Sequence, residues 1–239
     1  MNLDADLQEF LYRHEKYFVD ELHRLQTAPE LLTLFFRDDP GFEGGWLFMQ
    51  AEPDSGDWNI ARMLGNPEIA LACLHLLPDV ESYLLIPEGA EHHFSNDYRQ
   101  ASSLLWFLND AQHHDSFALT HEAAAMGFDL NIKMDQSDDS ATDSGFAIYL
   151  LRQQKVQGYI KTIHSTKNFV EVYIEVKPSL RNRGLGTMLL QQACSLAFSL
   201  KRQLIYAVDA ENKASIKIAL KSGLKQFTRC SRFIRNCNR

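Results

Sequence analysis

Apolar side chains recur at three- and four-residue steps through Leu3, Leu7, Phe10, Leu11, Phe18, Leu22 and Leu25, the spacing that lines one face of a helix. This predicts a helical entry over residues 3–37, punctuated by Pro29 ahead of a second apolar run from Leu31 to Phe36. Two short apolar runs, Gly44 to Met49 and Asn59 to Leu64, flank the turn-rich Glu52-Pro53-Asp54-Ser55-Gly56-Asp57 and predict a pair of strands. Ile69 to Leu77 predicts a helix, Ser82 to Ile86 a strand stopped by Pro87, and Phe94 to Asn109 a helix followed by a strand. The front half therefore reads as mixed α/β.

Asp135 to Ser144 contains no large apolar side chain and predicts an exposed loop. Beyond it the pattern sharpens. Gly145 to Leu151, Tyr159 to His164 and Phe169 to Val176 predict strands. In the third, Val170, Val172, Ile174 and Val176 alternate with Glu171, Tyr173 and Glu175, a period-2 signal with one apolar face and one carrying two carboxylates and a phenol. A basic turn, Lys177-Pro178-Ser179-Leu180-Arg181-Asn182-Arg183-Gly184-Leu185-Gly186-Thr187, leads into a predicted helix from Met188 to Leu200.

Composition narrows the class without naming a function. An apolar share of 45% and a charged share of 23% over 239 residues are globular averages, long enough for one large domain or two small ones. No run of 18 apolar residues and no basic, then apolar, leader opens the chain, so the expectation is a cytoplasmic protein without a membrane partner. The net charge of -7 hides a split: residues 1–143 carry 27 acids and 7 bases, a balance of -20, and residues 144–239 carry 4 acids and 17 bases, a balance of +13. A basic half suits a phosphorylated ligand, nucleic acid or acidic lipid. Four cysteines without C-x-x-C spacing, and the neighbouring pairs His92-His93 and His113-His114 whose side chains diverge, predict no metal site.

A strand, basic glycine turn and helix in that order form a physical device for binding phosphate. The first turn of a helix leaves backbone N–H groups unpaired where the helix dipole is positive. Gly184 and Gly186 carry no Cβ to hold oxygens away, and Arg181 and Arg183 add charge. The turn is neither a Walker A loop nor the dinucleotide fingerprint. Arg181-x-x-Gly184-x-Gly186 after a strand and before an apolar helix resembles the acyl-CoA pyrophosphate loop of the GNAT N-acetyltransferase superfamily. Leu204 to Val208 resembles its next strand, and Asn212-Lys213-Ala214-Ser215 with Lys221-Ser222-Gly223-Leu224 resembles its second signature.

The resemblance implies an α+β fold with a mixed, mostly antiparallel sheet flanked by helices, in a catalytic domain spanning residues 116–239. Its fourth and fifth strands splay to admit acetyl-CoA. Backbone near Glu175 and Val176 would pair with pantetheine, Arg181, Asn182, Arg183, Gly184, Leu185, Gly186 and Thr187 would cradle the pyrophosphate, and Asn212 and Ser215 would approach the pantetheine side. The acetyl group would pass directly to an amine, with no metal. Glu171 or Glu175 is the candidate base, Tyr173 an acceptor contact. Family members commonly place a Tyr seven residues after the Asn, but Ala219 stands there, leaving Tyr206 or solvent as acid for the thiolate. Residues 1–115 would form a second α/β unit, compatible with a degenerate copy of the fold, whose acidity favours a cationic acceptor; a homodimer contact is also compatible with it. A catalytically silent acyl-CoA-binding regulator and an RNA-associated protein are the rival readings.

Overall fold

The computed structural model describes residues 5–36, 43–51, 58–94, 98–109, 116–134 and 145–235, with backbone alone at 5–8, 36, 116 and 117. The predicted turn at Glu52 to Asp57, His113-His114 and the predicted loop Asp135 to Ser144 lie outside them. The chain folds as two compact units that do not follow a single cut. Unit 1 takes residues 1–105, 209–211 and 228–239, and unit 2 takes 106–208 and 212–227.

Unit 1 begins with helices α1 (Ala5–Arg13) and α2 (Val19–Thr27). The predicted helix does not continue to residue 37: Leu32–Phe36 is strand β1, antiparallel to β2 (Gly44–Met49). The reason is burial on both faces. Leu32 and Leu34 pack toward α1 and α2, Phe35 packs on the other side, so the run is apolar at every position but Thr33 and is too short and dense to show which period it follows. Strand β2 is buried throughout for the same reason, with Leu47 and Met49 toward α2 and Trp46 and Phe48 toward α3 (Pro67–Ala72). β3 (Asn59–Gly65) pairs antiparallel with β2 and, across α3, parallel with β4 (Ser82–Pro87). The predicted 69–77 helix is interrupted at Cys73, after which Leu74–Leu76 forms one 3-10 turn. Trp46 donates its indole N–H to the Ala70 carbonyl at 2.6 Å. Trp58, by contrast, is 40% exposed and stacks on Tyr83 at 4.5 Å.

From residue 98 onward the region predicted as helix then strand is one long strand, β5 (Arg99–Asn109). Unit 2 continues with α4 (Ser116–Ala125), then β6 (Asp129–Met134), β7 (Phe146–Arg152), β8 (Lys155–Ser165) and β9 (Phe169–Val176), all neighbours antiparallel. Helix α5 (Leu185–Ser199) crosses back to β10 (Gln203–Asp209), parallel to β9. Helix α6 (Lys213–Lys221) and β11 (Leu224–Arg235) complete the chain. The last part of β11 returns to unit 1 and pairs with β4 from Cys230/Pro87 to Arg235/Ser82.

That return alters the charge picture. Arg229 donates to Ser103, Arg232 to Ser102 and Asp209, and Arg235 to the carbonyls of Leu77 and Pro78, all inside unit 1. Three of the basic residues counted in the cationic half are therefore fastening strands of the acidic one. No helix among the described residues is long and apolar enough to cross a membrane.

Candidate active site

Strands β9 and β10 begin as partners and then part. Their parallel ladder runs Phe169/Gln203, Val170/Leu204 and Glu171/Ile205 and stops there, although β9 runs on to Val176 and β10 to Asp209. The Glu175 carbonyl faces β8, where a Cβ on Gly158 would stand 2.9 Å from it. Alternation along the strand then turns the N–H and C=O of Ile174 and Val176 away from β8, into the opening. One of those groups is already engaged: Arg181 Nε donates to the Val176 carbonyl at 3.2 Å, folding the basic turn onto the end of β9 and leaving one lone pair.

The turn delivers an open helix end. Asn182 and Gly184 both lie in the left-handed region, at φ +63 and +81, on either side of Arg183. Gly184 is the N-cap residue of α5 and has no side chain to accept from the first turn. The first helical N–H groups, those of Leu185, Gly186 and Thr187, have no acceptor one turn back within the helix. Arg181, Asn182, Arg183 and Gly184 are exposed while the Leu185 side chain is buried, so Leu185 offers a ligand only its amide. The two glycines have different causes. A Cβ at Gly184 would meet nothing within 4 Å but would sit on a left-handed backbone; at Gly186 it would stand 2.7 Å from Ile218 Cδ1 of α6. Helix contact is thus a second cause for a glycine at 186, beside the close approach of a phosphate that the sequence suggested.

On the polar side of β9 the three predicted residues separate. Tyr173 and Glu175 are exposed, but Glu171 is only 8% exposed, and His164 Nδ1 lies 3.1 Å from its Oε2. Glu171 occupies the last rung of the β9/β10 ladder, the apex of the opening. Glu175 accepts from the Tyr159 hydroxyl at 2.8 Å across the β8/β9 pair. That bond, with burial adding to it, pushes the Tyr159 phenol up to about 12. Tyr149, Tyr159 and Tyr173 form a ladder over β7, β8 and β9 with centroids 6.3 and 6.2 Å apart.

Across the opening, Asn212 is the N-cap of α6 and accepts from the Ser215 N–H at 3.1 Å. The Ser215 side chain lies close enough to the Tyr206 hydroxyl to act on its pKa. Burial raises the Tyr206 pKa above its ordinary value, against Ser215, which lowers it, and with a smaller push from Tyr173. The phenol is therefore protonated at neutral pH. Ala219 is fully buried on the inner side of α6. The structure so brings together Tyr206, Ser215 and Asn212, with Tyr173 in electrostatic reach, and holds Glu171 and Glu175 in separate pairs.

A family model for the acetyltransferase (GNAT) family matches residues 103–224, just over half of the chain. The chain belongs to the GNAT family. No curated protein matches it in sequence. Among solved structures, a GCN5-related N-acetyltransferase from Kribbella flavida is similar at 12% identity over 89% of this chain and 93% of that one, with a TM-score of 0.59. A tandem GNAT protein from the clavulanic acid biosynthesis pathway is similar at 14% identity, over 92% and 88%, with a TM-score of 0.61. A GCN5-related N-acetyltransferase-like protein from Streptococcus suis is similar at 14%, over 93% and 99%, with a TM-score of 0.58. At these identities the likeness is one of fold, and it extends beyond the family model into both units.

The GNAT order of parts, an antiparallel meander, a helix and a parallel strand, occurs in unit 2 as β7-β8-β9-α5-β10 and again in unit 1 as β1-β2-β3-α3-β4. The helix ends differ chemically. At α3 the Asn66 side chain accepts from Glu68 N–H, Pro67 has no N–H to give, and Glu68 places a carboxylate in the first turn. Sequence reasoning also missed His164 and Tyr159, the partners of the two carboxylates. Tyr159 lies in a predicted strand, but its place opposite Glu175 is set by the β8/β9 register. His164 carried no signal, because an irregularity between Thr162 and His164 decides its register.

Proposed function

We propose that this GNAT protein is an acetyl-CoA-dependent N-acetyltransferase acting on an amine, with a cationic acceptor favoured by the acidic front half. The observation that carries the reading is the parting of β9 and β10 beyond Glu171/Ile205, beside a turn that opens α5 on uncapped amides between exposed Arg181 and Arg183. The residues fit the co-substrate: amides and guanidinium groups for a pyrophosphate, and the free edge at Ile174 and Val176 for pantetheine amides. Acetyl-CoA supplies the activated acetyl group. On the chain's side, Arg183 and the amides of Gly184 to Thr187 hold the diphosphate, with Asn182 shaping the turn. Asn212 and Ser215 shape the opposite wall and hold Tyr206 in place.

Glu171 at the apex takes the proton that the attacking ammonium must lose, directly or through one water, and the adjacent His164 orients it. Tyr206, kept protonated by burial, gives its proton to the departing thiolate in the role for which Ala219 is unsuited. Tyr173 and Glu175 border the acceptor side. Unit 1 we read as a degenerate copy of the fold that binds no acyl-CoA, since Pro67 has no N–H, Asn66 already takes that of Glu68, and the Glu68 carboxylate puts negative charge in the first turn. Thiol release from acetyl-CoA, followed with a panel of amines beside calorimetric binding of CoA, tests the proposal. Binding with turnover on at least one amine is expected; binding without turnover on any amine would make the protein an acyl-CoA-binding regulator, and absence of binding would end both readings.

A further inference from the structure

Unit 1 contains a cavity of about 380 Å³ lined by Glu91, His92, Tyr98, Gln100 and Phe233, within the size range of small-molecule sites. It follows from how β4 ends. Pro87 closes the strand, Gly89 turns the backbone at φ +94, and the single 3-10 turn Glu91–His93 brings the Glu91 carboxylate against β11. There Gly89 N–H donates to Oε2 at 2.7 Å and the Ser231 hydroxyl to Oε1 at 3.2 Å. The Gln100 amide lies 3.4 Å from the Ser231 hydroxyl and donates to Ser103 Oγ at 3.0 Å, backing the same serine. Phe233, two residues beyond Ser231, shares its face of β11. The Phe94 ring packs against both Phe233 and Tyr98, with centroids 5.7 and 5.5 Å away.

The cavity thus joins an immobilised carboxylate to the half-buried Tyr98 ring, over a floor that includes the buried Phe233. Among the described residues no Lys, Arg or His forms an ion pair with Glu91. Arg229 stands behind Ser103, donating to its hydroxyl at 3.0 Å, and does not line the cavity. His92 turns its Nδ1 to the Gly89 carbonyl at 3.0 Å. Among the described residues the hydrogen-bond partners of this partly buried carboxylate are the neutral donors Gly89 N–H and Ser231 O–H, neither of which supplies a positive charge to it. Aromatic faces attract the same sign of charge and shelter an apolar body. No group of three metal-ligating side chains converges among the described residues. We propose that this cavity is a ligand site of unit 1 for a small organic ammonium ion bearing an aryl or alkyl body, seated with its charge on Glu91 and its body on Tyr98 and Phe233.

The site is independent of the acetyl-transfer reading, and its test needs no turnover. Calorimetric titration of the full chain without acetyl-CoA compares 2-phenylethylammonium with the neutral 2-phenylethanol. The ammonium should bind at least tenfold more tightly at low salt. E91Q should abolish that preference while leaving the alcohol unaffected, and Y98L should weaken both. Equal binding of the two probes, binding of neither, or a preference that survives E91Q overturns the proposal. Should E91Q not fold, amide shift changes on the unmodified chain decide it: they must fall on residues 87–94, 98–103 and 229–235 with the ammonium, and a map elsewhere refutes the site.

Discussion

The contact at Gly186 separates two explanations of the glycine turn. A methyl group there would stand 2.7 Å from Ile218 Cδ1 and 3.5 Å from Cγ1, against an optimum of about 3.5–4.0 Å between carbons. The Ile218 tip must yield by about 1 Å, and overpacking of this kind costs about 1–3 kcal/mol. Replacing glycine by alanine inside a helix returns about 0.5–1 kcal/mol. Gly186→Ala alone should therefore cost about 0–2.5 kcal/mol. Ile218→Val removes the offending carbon and alone costs about 0.5–1.5 kcal/mol, but in its background Gly186→Ala should stabilise by about 0.5–1 kcal/mol. Urea unfolding of the four proteins gives the coupling energy, expected at about 1–3 kcal/mol. Additivity to within about 0.5 kcal/mol would refute the packing argument. So would a rise in the acetyl-CoA KM of Gly186→Ala that Ile218→Val does not reverse, which is the behaviour of a glycine kept for phosphate.

Three further expectations concern other parts of the molecule. Arg183→Ala removes an exposed guanidinium beside the α5 end; losing a charge-assisted bond worth about 1.5–3 kcal/mol should raise the acetyl-CoA KM about tenfold or more with the thermal midpoint unchanged. Tyr206→Phe should lower kcat at least tenfold without altering that KM, and because burial raises the Tyr206 pKa, the unmodified enzyme should lose no kcat from this group below the ordinary tyrosine range. In unit 1, Arg62 Nη1 lies 2.8 Å from Oε1 of the buried Glu21, and Glu21→Ala should cost about 3–5 kcal/mol by stranding the largely covered guanidinium. Burial raises the Glu21 carboxyl despite the pull of Arg62, so the folded chain holds that proton to higher pH than the unfolded one. Relative to Glu21→Gln, stability should then fall as pH rises from the ordinary carboxylate range to the raised value and level off above it, as urea midpoints across pH would record.

Much of the site was legible in linear order because its parts are local. The alternation of Val170 to Val176 and the Arg181 to Thr187 turn each depend on residues within one turn or one strand, where side-chain period and backbone chemistry act directly. The mixture of helices and strands was legible on the same grounds, and the α+β class through the family resemblance.

Other features were settled by contacts distant in the chain, and no local pattern encodes them. Leu32 to Phe36 became a strand because β2 offered it a ladder and two hydrophobic layers, which erased the periodicity that distinguishes strand from helix. The C-terminal arginines fasten unit 1 because β11 pairs with β4 about 150 residues earlier in the chain. The burial of Glu171 beside His164 depends on an irregularity in β8, the need for Gly186 on where α6 lands, and the Glu91 cavity on β11 passing the end of β4. Side-chain period and turn chemistry are properties of neighbours along the chain, whereas partners, burial and cavities arise only when separate segments compete for the same space.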